Sequence, residues 1–169
     1  MATFVFTAVL VLVAWIELRD LARTSKADFI FRLKNSFFTE EARRLIFLVG
    51  ENLLQFEDSK IPYFTIRKVN DAILRSLFEE LGIKGSTVST STVDDVLLGP
   101  LEDVALFLIG KHITEKHAYE MFDAYVTSCW ENEEIQKYIL SVRREPRDSD
   151  IYSNLENLYK RLRKAEPQN

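Results

Sequence analysis

ATFVFTAVLVLVAWI, residues 2–16, is an apolar run without a charge, a glycine or a proline. At ~1.5 Å per residue, about fifteen to seventeen helical residues span roughly 25 Å, a little short of the ~30 Å hydrocarbon core of a bilayer. Local thinning, or Leu18 and Leu21 dipping at the boundary, closes that gap. Phe4, Val5, Phe6, Val9, Leu10, Val11, Leu12, Val13, Trp15 and Ile16 supply the apolar side chains, and together they favour insertion by roughly 3–6 kcal/mol. Trp15 stands where an interfacial aromatic belongs, and Arg19, Arg23 and Lys26 follow it. No basic residue precedes the run, so the positive-inside bias places the N-terminus outside and the body in the cytosol. A cleaved signal peptide calls for a basic start and a small-residue cleavage site. Met1-Ala2-Thr3 lacks the first, and Ala14-Trp15-Ile16 is a poor version of the second. Residues 1–17 are therefore expected to be an uncleaved, single-pass anchor in the cytoplasmic membrane.

Working outward, Leu18, Leu21, Ala22, Ser25, Phe29, Leu33 and Phe37 recur at spacings of three and four, one face of a helix. The expectation is one long helix over residues 2–37 that leaves the membrane and joins the body. Thr39-Glu40-Glu41 opens a second helix with a hydroxyl cap and first-turn acids. It is expected to run to about Gln55, burying Leu45, Ile46, Leu48, Val49, Leu53 and Leu54. Residues 56–65, around Pro62, read as a loop. Ile66, Val69, Ile73, Leu74, Leu77, Phe78 and Leu81 mark a third helix closed by Gly82. KGSTVSTS, residues 84–91, is small, polar and aperiodic, and reads as a mobile loop.

Thr92 with Asp94 and Asp95 opens a fourth helix, which Gly99-Pro100 must kink or restart. Thr114 caps a fifth through Ala118, Met121, Phe122, Tyr125, Val126 and Cys129. Ile135, Tyr138, Ile139 and Val142 mark a sixth, stopped by Pro146. Asp148 or Ser149 is expected to cap a seventh through Ile151, Leu155, Leu158, Tyr159 and Leu162, with residues 165–169 frayed. The fold expected is all-α: a transmembrane helix continuing into a cytosolic bundle of about six to seven helices over residues 18–164.

Composition agrees with a packed body. Five glycines and four prolines in 169 residues are few breakers, and favour long helices. The single cysteine, Cys129, has no internal disulfide partner. The net charge of −4 is uneven: residues 17–44 carry +2, residues 45–136 carry −9 and residues 137–169 carry +3. No dense basic face of the kind nucleic acid requires emerges.

Several residues invite chemistry. Asp94-Asp95 and Glu102-Asp103 are paired carboxylates, the type that performs acid–base work or holds a metal. Adjacent helical acids diverge by about 100°, and first-turn acids complement the helix dipole, so a structural role is the simpler expectation. Glu102 facing inward toward an arginine or a tyrosine is the version that would carry function. His112 and His117 are five apart rather than the four that helical zinc sites use. Cys129 lies on an apolar face and reads as an inert thiol. No catalytic residues, cofactor or metal are expected. Arg43, Arg44, Arg143, Arg144 and Arg147, with Arg19, Arg23 and Lys26, are candidate contacts for an anionic ligand or lipid headgroup. Tyr119, Phe122, Tyr125 and Trp130 are core by default and a candidate oligomer or partner contact.

The order of features also resembles a known family. The apolar run leads into Leu18-Arg19-Asp20-Leu21-Ala22-Arg23-Thr24, then Phe29 to Leu33 and Phe37-Phe38-Thr39-Glu40-Glu41. Gly99-Pro100-Leu101-Glu102-Asp103-Val104-Ala105 and Tyr119-Glu120-Met121-Phe122-Asp123-Ala124-Tyr125 follow, then Trp130, Ile139, Tyr152, Leu155 and Leu158. This order resembles small bacterial single-pass membrane-anchored helical proteins classed as a domain of unknown function. The resemblance implies a fold and an anchor, and no activity; residues 84–91 depart from it. The functional expectation is a non-enzymatic module at the cytosolic membrane face that binds a partner protein or copies of itself. The competing expectation is a ligand-responsive effector, as in antiviral defence, that perturbs the bilayer when activated.

Overall fold

The computed structural model describes residues 28–35 and 37–165. The chain divides into two compact units, Met1–Ser36 and Phe37–Asn169. In the first, residues 28–35 form helix α1, with Arg32 and Asp28 paired at 2.9 Å one turn apart. The expected anchor over residues 2–16 and the tail at 166–169 lie outside the described residues. Among the described residues no helix is long and apolar enough to cross a membrane.

The second unit is predominantly helical, with seven α-helices, but it is not all-α. Helix α2, Glu40–Gly50, begins at Thr39, whose hydroxyl accepts the Ala42 N–H at 3.1 Å. It stops five residues earlier than its apolar pattern suggests. Asn52 takes a left-handed conformation (φ 53°), and Leu53 N–H turns back onto the Leu48 carbonyl at 2.8 Å. Asparagine tolerates that geometry better than most residues. Leu53 and Leu54 are buried as expected, but Leu54 belongs to a strand.

Strands β1 (Leu54–Glu57), β2 (Tyr63–Ile66) and β3 (Thr87–Ser89) form an antiparallel sheet in that order. The segment read as a loop around Pro62 is thus a hairpin, with Phe56 opposite Phe64. Its period is two: Leu54, Phe56 and Phe64 are buried while Gln55 and Tyr63 face outward. Four-residue strands give too short an alternation to compete with helical spacing in a sequence reading. Pro62 sits immediately before β2, where its missing N–H costs no ladder bond.

Helix α3, Ala72–Glu80, starts at Asp71, which accepts the Ile73 and Leu74 N–H groups. Ile66 is in β2 rather than in the third helix. Gly82 takes the left-handed position (φ 61°) that closes α3, as expected. The stretch at 84–91 is structured, not a free loop: Thr87–Ser89 pairs with β2, and the Ser89 hydroxyl caps the one-turn helix α4, Thr90–Val93.

A π-helical turn, Asp94–Leu98, precedes α5, Gly99–Ile109. Pro100 has no N–H and cannot continue an α-ladder, and the wider turn absorbs the break. The turn also requires glycine at 99, where a Cβ would stand 2.8 Å from the Asp94 carbonyl oxygen. Helix α6, Glu115–Glu131, opens with a reciprocal Thr114–His117 cap. Helix α7 is Glu133–Val142, and a 3-10 turn at Pro146–Asp148 leads to α8, Ser153–Ala165. Leu97, Leu98, Leu101 and Val104 are fully buried at the centre, where α5 meets the π turn, α6 and α8. The sheet closes on α7 through Tyr138, which packs against Phe56 and Phe64.

Candidate functional site

One polar arrangement of the second unit joins three elements far apart in sequence. Asp94, in the π turn, accepts hydrogen bonds from the hydroxyls of Tyr138 on α7 and Tyr152 before α8. Burial raises the Asp94 carboxyl above the usual carboxylate range, and the charge of Asp95 adds to the effect. The two tyrosine bonds act the other way, favouring the carboxylate. Burial and the same bonds to Asp94 push both tyrosines above their ordinary value, so they remain protonated donors. Tyr152 has a left-handed backbone (φ 59°), a cost that the Asp94 bond helps to offset. Chemically this is a clamp holding the segment before α8 against the π turn.

Glu102 is the second engaged carboxylate. It faces neither an arginine nor a tyrosine but the N-terminus of α8, accepting the Leu155 N–H at 2.6 Å and the Asn154 side chain at 2.9 Å. Asp148 and Ser149, expected to cap that helix, lie before its start at Ser153. Asp94 and Glu102 line an open groove of about 520 Å³ with Asp95, Asp103 and Asp150. Among the described residues no three histidine, cysteine or acidic side chains are arranged to hold a metal ion.

Among the described residues the candidate anion contacts do not converge on a single site; Arg43 and Arg44 line one pocket with Glu40 and Glu80. Arg19, Arg23 and Lys26, like the anchor residues Phe4 to Ile16, lie outside the described residues. Arg44 donates to the Leu81 carbonyl at 2.6 Å and lies 3.6 Å from Glu40. Arg143 bonds the Ile151 carbonyl and Glu156, and Arg144 pairs with Asp58 at 2.8 Å. Arg43 is exposed on α2, and Arg147 on the 3-10 turn. The side chains of Arg44, Arg143 and Arg144 are thus committed to separate structural contacts.

The aromatic candidates divide. Phe122 is 1% exposed and belongs to the core. Tyr125 packs against Phe37 and Phe38, Trp130 lies against Tyr159 with the Arg143 guanidinium 6.0 Å from its ring, and Tyr119 is half-buried. Cys129 is buried, and burial pushes its thiol up to about 12, as an inert sulfur requires.

Sequence reading missed an uncovered surface. Helix α3 buries none of its nine residues. Ile73 is 73% exposed, and Leu74, Leu77 and Phe78 are only half-buried, although Phe78 touches Phe47. The amphipathic pattern was visible; its lack of a cover was not. Comparison with protein-family models, with curated proteins and with solved structures finds no match to this chain.

Proposed function

We propose that this chain is a non-enzymatic module, anchored by residues 2–16 in the cytoplasmic membrane with its body in the cytosol, that self-associates through helix α3. The observation that carries the association is the uncovered apolar face of α3, with Ile73 standing in solvent. A short amphipathic helix gains most of its stability from burying that face. Here the second unit covers only part of it. Confinement to a membrane raises the encounter rate of two such bodies.

The anchor rests on the uncharged run at 2–16 and on Arg19, Arg23 and Lys26 behind it. The non-enzymatic part is supported by Asp94 and Glu102, half-buried carboxylates that both hold secondary structure in place.

Two measurements test the reading. The full chain should resist alkaline carbonate extraction, and a chain in which Val9, Leu10, Val11 and Leu12 are replaced by glutamine should be extracted. In detergent, light scattering should give a dimer or larger species that Ile73→Asp converts to monomer. A wild-type monomer across the accessible concentration range would remove self-association from the proposal. Loss of viability on expression, abolished by the same glutamine substitutions, would favour the bilayer-perturbing effector instead.

A further inference from the structure

Helices α5 and α8 share a face that has no part in the reading above. Leu106 and Ile109, one turn apart on α5, are 47% and 52% exposed. A groove of about 370 Å³ runs between Ile109 and α8, whose Arg161 and Lys164 line it. Helix α8 carries four basic residues against one acid. That acid, Glu156, is paired with Lys160 and Arg143, and Arg163 is paired with Glu131. Arg161 and Lys164 make no ion pair among the described residues. Ile109 therefore stands beside two uncompensated cations, with exposed Leu106 one turn before it on α5.

We infer that this face docks on anionic lipid headgroups, as a second membrane contact of the body. The inference rests on the anchored reading, which holds the body within reach of the bilayer. Interfacial surfaces combine these two features: apolar side chains dip below the headgroups while cations meet the phosphates. Charge complementarity selects an anionic leaflet, and the tether supplies a high effective concentration of it. Leu106 and Ile109 dip into the lipid, and Arg161 and Lys164 lie at phosphate level.

The experiment uses the full chain in vesicles of neutral phosphatidylcholine and of phosphatidylcholine mixed with phosphatidylglycerol. Ile109→Cys is labelled with an environment-sensitive fluorophore; the wild-type chain, whose one thiol is buried, is the labelling blank. Anionic vesicles should shift the emission to the blue and lower iodide quenching several-fold. High salt and the double variant Arg161→Glu, Lys164→Glu should each reverse this, with unchanged circular dichroism. Equal quenching in both vesicle types, with the chain floating on neutral vesicles, overturns the docking surface and leaves the anchor standing. Protection by added cytosolic protein but not by anionic lipid also overturns it, in favour of a protein partner. A chain that floats only with anionic vesicles, and only with Arg161 and Lys164 intact, retains the surface and removes the anchor.

Discussion

Helices α5 and α3, eleven and nine residues long, met opposite fates. Helix α5 buries Leu101, Val104, Ala105 and Leu108 beneath α6, α8 and the π turn. Helix α3 buries nothing. A helical period states which face avoids water; it does not state what covers that face. The sharpest way to break the contrast is to truncate a fully enclosed position. Leu101→Ala should cost about 2–5 kcal/mol, the usual result of opening a cavity in a packed core. Thermal or urea unfolding followed by circular dichroism reads this, and a cost near zero would mean that α5 is not the centre of the core.

A second contrast separates Glu102 from its neighbour Asp103, which is exposed. Glu102→Ala leaves the N–H groups of Asn154 and Leu155 without their acceptor, and should cost about 1–3 kcal/mol. Asp103→Ala should stay within about 0.5 kcal/mol. Equal effects would show that the cap on α8 is dispensable.

Asp94 and Glu134 form a pair of opposite sign. Burial raises Asp94 despite its tyrosine bonds, so folding favours its protonated form. That contribution is complete below the ordinary carboxylate value and is lost as pH rises through the raised one. Burial works against Glu134 as well, but hydrogen bonds from Lys137 and the Phe56 N–H, with the charges of Lys137 and Arg67, lower it. Its contribution is present above the ordinary value and is lost as pH falls through the lowered one. Asp94→Asn should flatten the decline in stability on the alkaline side of the carboxylate range, and Glu134→Gln the decline on the acid side. The comparison fails if both variants shift the same limb.

The helical core was legible because its contacts are local in pattern. Ala118, Phe122, Val126 and Cys129 on α6, Ile135, Tyr138 and Ile139 on α7, and Leu155, Leu158 and Leu162 on α8 fall on the faces their spacing marks. Thr39 and Thr114 cap the helices that follow them. What stayed hidden depends on partners distant in sequence. Phe56 N–H is satisfied by Glu134, 78 residues away, so nothing local marked residues 54–57 as a strand. Asp94 was visible as an acid, but Tyr138 and Tyr152 lie 44 and 58 residues from it. The exposed face of α3 was hidden for the converse reason: its pattern implies a cover, and the described residues supply only part of one.

The smallest expected effect bears hardest on that last point. Ile73→Ser, measured at a dilution where the chain is monomeric, should change stability by no more than about 0.5 kcal/mol, the range for exposed positions. The same loss of aliphatic surface at a buried site costs several times more. At higher concentration the wild-type chain should gain stability through association, because a contact made only by the folded state stabilises it by mass action. Ile73→Ser should abolish that concentration dependence. A cost above about 1.5 kcal/mol in the monomer would mean that Ile73 is already covered within one chain, and α3 would then differ from α5 only in degree. A small cost that comes with lost concentration dependence places the missing cover on a second molecule.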